Sequence, residues 1–177
     1  MIFITVGTQK FQFNRLLKEI DKLIEEKIIT EEVFSQIGHS DYRPKNYKYK
    51  DFIDRDEYED IMKKCEIVIT HGGTGAIIGA LKKGKKVVAI PRLKKFNEHV
   101  DDHQIQIITE FEKVGLIVGI KRIDMLNKAI TNIDKIDLKE YISNTNNIIK
   151  EIEIFIESLK TKSIKRINIY KCKKENL

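Results

Sequence analysis

The segment HGGTG at residues 71–75 places an imidazole, a hydroxyl and three glycines at the end of an apolar, strand-like run. Residues 67–69 form that run, a helix-like pattern follows from about Thr74, and a second β-branched run covers residues 87–90. This order predicts a βαβ unit. Glycines let the backbone approach a ligand, and the amides at the start of a helix favour an anion. The segment therefore predicts a diphosphate site.

A second polar segment, EHVDDHQ at residues 98–104, follows the strand-like run and Pro91. Its carboxylates, imidazoles and amide can pair with several hydroxyls of a sugar, whereas a bare phosphate would need only donors. We therefore expect Glu98 and His99, together with the residues that follow them, to contact a sugar.

A third candidate segment, GTQKFQF, begins at Gly7 after the apolar opening strand at residues 2–6. Gly7 and Thr8 could offer an amide and a hydroxyl to a phosphate or sugar oxygen, although a plain strand-to-helix turn would look the same. Phe11 and Phe13 are more typical of packing than of ligand binding.

Several other chemistries have little support. The glycine spacing is not GxGxxG and no GKS or GKT is present, which disfavours a dinucleotide or P-loop site. His99 and His103 are four residues apart, but HVDDH lacks the glutamate of HExxH, so we expect no metal. Cys65 and Cys172 are too far apart in sequence to suggest a disulfide framework or a metal pair.

The elements that carry these segments alternate between strand and helix. Strands are predicted at 2–6, 33–37, 49–53, 67–69, 87–90 and 116–120, and helices at about 16–24, 54–62, 74–84, 101–113, 124–131 and 137–159. This pattern predicts an α/β fold, a mainly parallel sheet of about six strands with helices on both faces, plus a long C-terminal helix. The loops after strands should then meet at one edge of the sheet.

Length and charge favour one domain with a basic extension. The 177 residues carry a net charge of +6, and we expect a domain over 1–160 and a basic tail over 161–177. The tail could be a solvated terminus or a contact with a membrane surface or a partner; nucleic acid is less favoured because aromatics are few. With no apolar run of about 18 residues and no basic leader, we expect a cytoplasmic protein.

The segments VITHGGTG, GKKVVAIPR and DDHQ resemble the donor-binding half of family 28 glycosyltransferases. The opening MIFITVGTQKFQFNRLLKEID and the segment PRLKKFNEHVDDHQ are closer still to the small subunits of bacterial two-component capsule and exopolysaccharide glycosyltransferases. The eukaryotic two-chain N-acetylglucosaminyltransferase of dolichol-linked oligosaccharide synthesis is also similar. The likeness covers residues 1–119.

This resemblance implies a Rossmann-like domain that is the donor-binding half of a GT-B fold. It places Gly7, Thr8 and Gln9 at the donor phosphates and sugar, backbone groups near Phe52 and Ile53 at uracil, and the hexose at Asp102, His103 and Gln104. It assigns the diphosphate to His71, Gly72, Gly73, Thr74 and Gly75. One departure is Gly79, where related enzymes often have a glutamate that binds ribose.

The resemblance also implies a function. It indicates inverting transfer of a hexose, galactose or glucose by preference, from a UDP-sugar to a lipid-linked acceptor, with no cofactor and no metal. A GT-B enzyme needs two such domains, so a membrane-anchored partner subunit would bind the acceptor and recruit this chain to the inner face of the membrane. The C-terminal helix and tail are candidates for docking that partner.

The catalytic base and the function itself leave alternatives open. His71 and His103 are the local candidates for the base, which could equally belong to the partner. The alternative functions are a non-catalytic nucleotide-sugar-binding or regulatory subunit and an unrelated Rossmann-like enzyme acting on a nucleotide or phosphosugar.

Overall fold

The structure, a computed structural model, describes the backbone of residues 1–174 and the side chains of residues 1–159. Its strands are β1 (Ile2–Thr5), β2 (Val33–Gln36), β3 (Lys48–Lys50), β4 (Ile67–His71), β5 (Lys86–Ile90) and β6 (Val118–Gly119). Its α-helices are α1 (Asn14–Glu25), α2 (Arg55–Lys64), α3 (Thr74–Leu81), α4 (His103–Lys113), α5 (Leu126–Asn132) and α6 (Thr145–Lys174). Short 3₁₀ turns occupy Lys94–Phe96, Ile123–Met125 and Ile133–Lys135.

The six strands form one sheet in the order β3-β2-β1-β4-β5-β6, and every neighbouring pair is parallel. This confirms the predicted α/β class and the parallel sheet. β1 and β4 are neighbours in the sheet. After β1 the chain continues to β2 on one side, and after β4 it continues to β5 on the other. The carboxyl ends of β1 and β4 therefore flank a crevice of the kind that binds ligands in open α/β sheets.

Alternate strand residues supply two hydrophobic cores, one on each face of the sheet. Isoleucine and valine side chains of β1, β4 and β5 pack on one face against α1 and α5, and Phe3, Val68 and Val87 pack on the other face with α2, α3 and α4. β-Branched residues suit such a doubly covered sheet. The two cores fix the sheet edge from which the candidate loops emerge.

Several predicted boundaries are wrong. The third strand ends at Lys50, so Phe52 and Ile53 follow it rather than form part of it. The last strand is only Val118–Gly119, and α4 begins at His103 instead of Asp101. The start of α2 is confirmed, because the Asp54 carboxylate accepts a hydrogen bond from the Glu57 amide at 2.8 Å and caps the helix.

The long C-terminal helix begins at Thr145 rather than at Asp137. Residues 137–144 are not helical; the Lys139 amide donates to the Gly115 carbonyl at 2.9 Å and ties this segment to the sheet domain. Ser143 and Asn144 then favour a helix start, because Ser143 Oγ accepts from the Thr145 amide at 3.4 Å and Asn144 Oδ1 accepts from the Asn147 side chain at 2.8 Å.

Contacts divide the chain into two units, Met1–Tyr141 and Ile142–Leu177. The first contains the whole sheet. The second contains α6, on which Ile148, Ile152 and Phe155 are each at least half exposed. The predicted boundary after residue 160 falls within α6, and the side chains of the predicted basic tail lie outside the described residues. Among the described residues, no helix has the length and apolar character needed to cross a bilayer.

Candidate functional site

The candidate segments meet where β1 and β4 end. The loop from Gly7 follows β1, the turn at residues 72–75 follows β4, and the loop at residues 91–102 follows β5. α1 lies on one face of the sheet and α3 on the other, so the space between the first two loops is open at the sheet edge. The structure thus brings together segments that the sequence placed far apart.

The imidazole of His71 separates the first two loops. A Cβ atom on Gly7 would lie 2.7 Å from His71 Cε1, and a Cβ on Gly73 would lie 2.4 Å from Nε2. Both distances are shorter than a van der Waals contact allows, and Gly7 also has φ of +77°. The two positions therefore require glycine because of the ring between them.

Hydrogen bonds fix the His71 ring in one tautomer. Its Nδ1 lies 3.2 Å from the Thr70 hydroxyl, which donates its single proton to the Thr5 carbonyl at 2.9 Å. The Thr70 oxygen can then only accept, so Nδ1 carries the ring proton and Nε2 has the lone pair. Burial, and next the charge of Arg92, lower the pKa of His71 to about 4. His71 is therefore neutral and weakly basic at neutral pH, which favours positioning over proton abstraction.

Gln104 ties the turn after β4 to the loop after β5. Its side-chain oxygen accepts from the Gly72 amide and from the Arg92 amide, both at 3.0 Å. A Cβ on Gly72 would lie 2.7 Å from Gln104 Cβ, so this contact also needs glycine. The Gly72 amide is used internally, which leaves the following amides as the donors for an anion.

Those following amides belong to the start of α3. The first bonds inside the helix are donated by Ala76 and Ile77 to the Gly73 carbonyl, both at 3.1 Å, so the Thr74 and Gly75 amides precede them. Among the side chains of residues 1–159, none caps this helix and none lies within 4 Å of a Cβ built on Gly75. Thr74 and Gly75 are both exposed. The geometry suits the close approach of a diphosphate oxygen to the helix start.

Arg92 places a buried positive charge beneath these loops. Its side chain is fully buried, and Nη2 donates to the Val6 carbonyl at 2.5 Å and to the Phe11 carbonyl at 3.1 Å. Burial lowers its pKa to about 10, against the opposing effect of Glu98, so it is charged at neutral pH. Nε and Nη1 have no partner among the described residues. The charge holds the first loop and adds positive potential to the site.

Glu98 supports the loop from inside. Its side chain is 1% exposed and accepts two bonds from the Arg15 guanidinium, at 3.0 and 2.8 Å, and one from the Leu93 amide at 3.0 Å. These partners occupy the carboxylate that was expected to contact sugar, and in this structure Glu98 has no exposed oxygen to offer. Asp102 is exposed, and its carboxylate accepts from the Lys94 amide at 2.8 Å.

His99, Asp101 and His103 form a cluster at the open side of this loop. Asp101 Oδ1 bonds closely with His103 Nδ1, accepts from the His103 amide at 3.1 Å, and lies 3.2 Å from His99 Nδ1. Two hydrogen bonds lower the pKa of Asp101. The larger effect comes from the His103 side chain and the smaller from the His103 amide. The three ligand atoms lie within 4.8 Å of one another, close enough to share a divalent metal ion, although the hydrogen bonds alone account for the arrangement. The expected absence of metal stays a prediction.

The remaining predicted residues lie around this centre. Thr8 and Gln9 are exposed beyond Gly7. Phe52 is 45% exposed with its ring against His39, and Ile53 packs against the second core. Tyr58, further along α2, places its hydroxyl 3.6 Å from the Cβ position of Gly79 on α3. The contact of backbone groups near Phe52 and Ile53 with uracil stays a prediction.

Sequence reasoning missed two residues of this site. Arg92 had a visible signal, since a charged residue only two positions after the buried β5 strand is a candidate for burial, and a buried charge needs partners inside the protein. Asp101 had none that separated it from Asp102, because only the local turn decides which carboxylate reaches His103.

The fold is a Rossmann-like domain, and the uncovered start of α3 lies at the point where strand order reverses, the usual ligand position in such sheets. Residues 1–159 match the glycosyltransferase family 28 C-terminal domain, and the chain belongs to that family. The family resemblance read from the motifs is thereby confirmed.

Relatives and a solved structure agree with this assignment. The UDP-N-acetylglucosamine transferase subunits ALG13 of Mus musculus and Homo sapiens are 28% and 29% identical over 64% of this chain, which covers 10% of each of them. ALG13 of Yarrowia lipolytica is 37% identical over 36% of the chain, covering 31% of the relative. The chain therefore spans only a small part of these proteins. MurG of Acinetobacter baumannii is similar in fold, with a TM-score of 0.52 and 17% identity over 74% of this chain and 40% of that chain.

The contact between His71 and Gly73 predicts a coupled stability effect. Gly73→Ala should lower the free energy of unfolding by about 1–3 kcal/mol, because its Cβ overlaps the imidazole. In a His71→Ala background the same change should cost much less. Urea denaturation of the four chains measures the coupling. Gly75→Ala is the control and should be neutral or stabilising; equal costs of Gly73→Ala in both backgrounds would show that the ring is not the obstacle.

The low pKa of His71 predicts a pH-dependent stability. The unfolded chain gains a proton on this residue near pH 6.5 and the folded chain only near about 4, so its contribution is complete above pH 6.5 and is lost as the pH falls towards 4. The full effect is about 3 kcal/mol, with about 2 kcal/mol lost by about pH 5.

Unfolding measured from about pH 7 to about pH 5 should therefore show a shallower decline in His71→Asn than in the unchanged chain. His39→Asn, which changes an exposed histidine, is the control and should keep the original slope. Identical slopes in His71→Asn and the unchanged chain would contradict the assigned burial of a neutral ring.

Proposed function

We propose that this chain is the donor-binding subunit of an inverting glycosyltransferase that moves a hexose from a UDP-sugar to a lipid-linked acceptor. The observation that carries the proposal is the uncapped start of α3, held beside the Gly7 loop by His71 at the crevice between β1 and β4. Membership of family 28 supports sugar transfer as the chemistry.

The diphosphate is the ligand group that this centre suits best. The Thr74 and Gly75 amides can donate to its oxygens, and the Thr74 hydroxyl is exposed beside them. Arg92 adds a fixed positive charge below the first loop without being exposed itself. Such preorganised donors would stabilise the charge that develops on the leaving UDP.

His103 is the candidate base within this chain. Its side chain is 48% exposed, and its Nδ1 is bonded to the Asp101 carboxylate, which leaves Nε2 as the free acceptor. In the inverting step the acceptor hydroxyl would attack the anomeric carbon and lose its proton, and the bond to UDP would break. Asp101 acts as a positioning residue, because its carboxylate is bonded to Nδ1 and orients the imidazole.

A partner subunit would supply the acceptor half. The described chain has one sheet domain, whereas a GT-B enzyme clasps its substrates between two. The mammalian and yeast relatives are themselves named as subunits. On α6, Ile148, Ile152 and Phe155 recur at helical spacing and are each at least half exposed, so α6 is the proposed docking element for a membrane-anchored partner.

The sugar and the pathway are the finer parts of the proposal. The motif resemblance favours UDP-galactose or UDP-glucose in capsule or exopolysaccharide synthesis, while the relatives are named for UDP-N-acetylglucosamine. Work at the inner face of the membrane follows from a lipid-linked acceptor. The alternative is a nucleotide-sugar-binding subunit without catalysis, which the same diphosphate centre would also serve.

A binding and transfer experiment tests the proposal. Calorimetry should show UDP binding to the purified chain, and Gly75→Ala should weaken it by about tenfold or more, because a methyl group would stand where the diphosphate approaches α3. Gly79→Ala makes the same change later in the same helix and should keep the affinity.

Transfer is then measured with radiolabelled UDP-galactose, UDP-glucose and UDP-N-acetylglucosamine, membranes and the co-expressed partner. Label should enter a lipid product only when both subunits are present. UDP binding without any transfer would favour the non-catalytic alternative, and no affinity for any uridine nucleotide would overturn the proposal.

The bond between Asp101 and His103 leads to a separate prediction. Asp101→Asn should lower kcat by about 10–100-fold and leave UDP affinity unchanged, since Asp101 acts only through His103. Asp101→Glu should restore part of the rate. Asp56→Asn, an exposed carboxylate in the first turn of α2, is the control. If Asp101→Asn weakens UDP binding and kcat together, the cluster binds the donor and the base lies elsewhere.

A further inference from the structure

Phe96 is an exposed aromatic side chain at the edge of the sheet that carries the candidate site. It is 44% exposed and ends the 3₁₀ turn Lys94–Phe96, which follows β5. Its carbonyl accepts from the Gln12 side chain at 2.9 Å, so the turn is fixed against the segment before α1. The ring is therefore held at the surface by an ordered turn.

Two cavities flank this ring. One, of about 440 Å³, lies between Phe96 and the outer side of α1, where Lys18 and Lys22 line it. The other, of about 200 Å³, lies between Phe96 and the segment after β6, where Lys121 and Arg122 line it. The Phe96 ring thus separates two cavities that are both lined by basic side chains.

The acidic side chains lining the two cavities are all engaged in ion pairs. There are three of them, against six basic side chains. The pairs are Arg15 with Glu98 at 2.8 Å, Lys22 with Glu19 at 3.8 Å, and Arg122 with Asp124. Three positive charges therefore remain without an acidic neighbour on this surface.

Those charges belong to Lys18, Lys95 and Lys121. Among the side chains of residues 1–159, none of the three has a carboxylate within ion-pair distance. Lys95 lies with its amine 4.9 Å from the centre of the Phe96 ring, and Lys18 lies 5.6 Å from the Tyr42 ring. We call Lys18, Lys95, Phe96 and Lys121 the Phe96 surface.

An anionic bilayer is the partner whose chemistry fits this surface. An exposed Phe ring can bury its apolar surface at the boundary between the lipid headgroups and the acyl chains, and long lysine side chains reach the phosphates around it. Each lysine near an anionic leaflet contributes about fivefold to binding. A single-stranded nucleic acid would instead be expected to use several stacking rings along a groove, whereas here one ring stands between two cavities.

We propose that the Phe96 surface docks this chain onto an anionic membrane. The 3₁₀ turn follows β5, the segment with Lys121 follows β6, and Lys18 lies in the second turn of α1, which follows β1. All three therefore belong to the carboxyl edge of the sheet, as the candidate site does. Docking there turns the site towards the lipid phase. The inference goes beyond the proposed function, because it holds whichever ligand the site binds.

Vesicle sedimentation with the full chain tests the proposal. The chain should bind vesicles of phosphatidylcholine mixed with phosphatidylglycerol and not vesicles of phosphatidylcholine alone. The double variant Lys95→Gln/Lys121→Gln should bind the mixed vesicles about 25-fold more weakly. The control Lys64→Gln/Lys82→Gln removes the same charge from the ends of α2 and α3, at the opposite edge of the sheet, and should bind as the unchanged chain does.

The chain contains no tryptophan, so Phe96→Trp provides a unique reporter of burial. Its fluorescence should shift to the blue with the mixed vesicles, since the ring leaves water. Val114→Trp, at a half-exposed position at the end of α4, is the control and should not shift. UDP binding should be unchanged in Phe96→Trp and in the lysine variants, which separates failure here from failure of the proposed function.

Three results would overturn the proposal. Equal binding by both lysine double variants would assign membrane affinity to the basic tail or to net charge alone. If the fluorescence of Phe96→Trp does not change when the chain binds vesicles, the membrane contact lies elsewhere. If that fluorescence responds to polyuridylate and not to vesicles, the surface binds nucleic acid instead.

Discussion

The imidazole of His71 is the constraint on which the arrangement of the site depends. It fills the space between the backbone of Gly7 and that of Gly73, so the loops after β1 and β4 are held one ring apart. A larger residue at either glycine would force the loops away, and a smaller one at position 71 would let them collapse. Because the ring is neutral and its Nδ1 proton is used by Thr70, it holds this spacing without placing a second positive charge beside Arg92.

The buried guanidinium of Arg92 has a matching role. Burying a charge is costly unless it is paired, and here two carbonyls of the first loop and the neighbouring Glu98 offset the cost. Glu98 is in turn held by Arg15 at the start of α1. A positive charge is thereby fixed close to the anion site but out of contact with solvent. In the proposed function it would attract a diphosphate without the entropy loss of ordering a flexible side chain when the ligand binds.

Much of the fold, and less of the site, could be predicted from the sequence. Apolar runs and glycine turns predicted the six strands and the edge where the loops meet, because these depend on local pattern and on parallel topology. The roles within EHVDDHQ could not be separated. Glu98 is buried only because Arg15, 83 residues away, reaches it, and Gln104 faces inward because two amides converge on its oxygen. The polar run at 143–147 also decided where α6 begins, although the apolar spacing extended further upstream.

The structure separates residues that hold the site from residues that can meet a ligand. His71, Arg92, Glu98 and Gln104 are buried. Arg92 and Gln104 bond to neighbouring loops, and Glu98 bonds to Arg15 of α1. The exposed groups include Thr8, Gln9, Thr74, Gly75, Asp101, Asp102 and His103. In the proposed function these groups would contact a diphosphate and one side of a sugar. Among residues 1–159 they do not surround that space, so water would reach the anomeric carbon and hydrolysis would compete with the proposed transfer. Efficient transfer by the proposed mechanism would therefore need a second surface over the loops that follow β1 and β4.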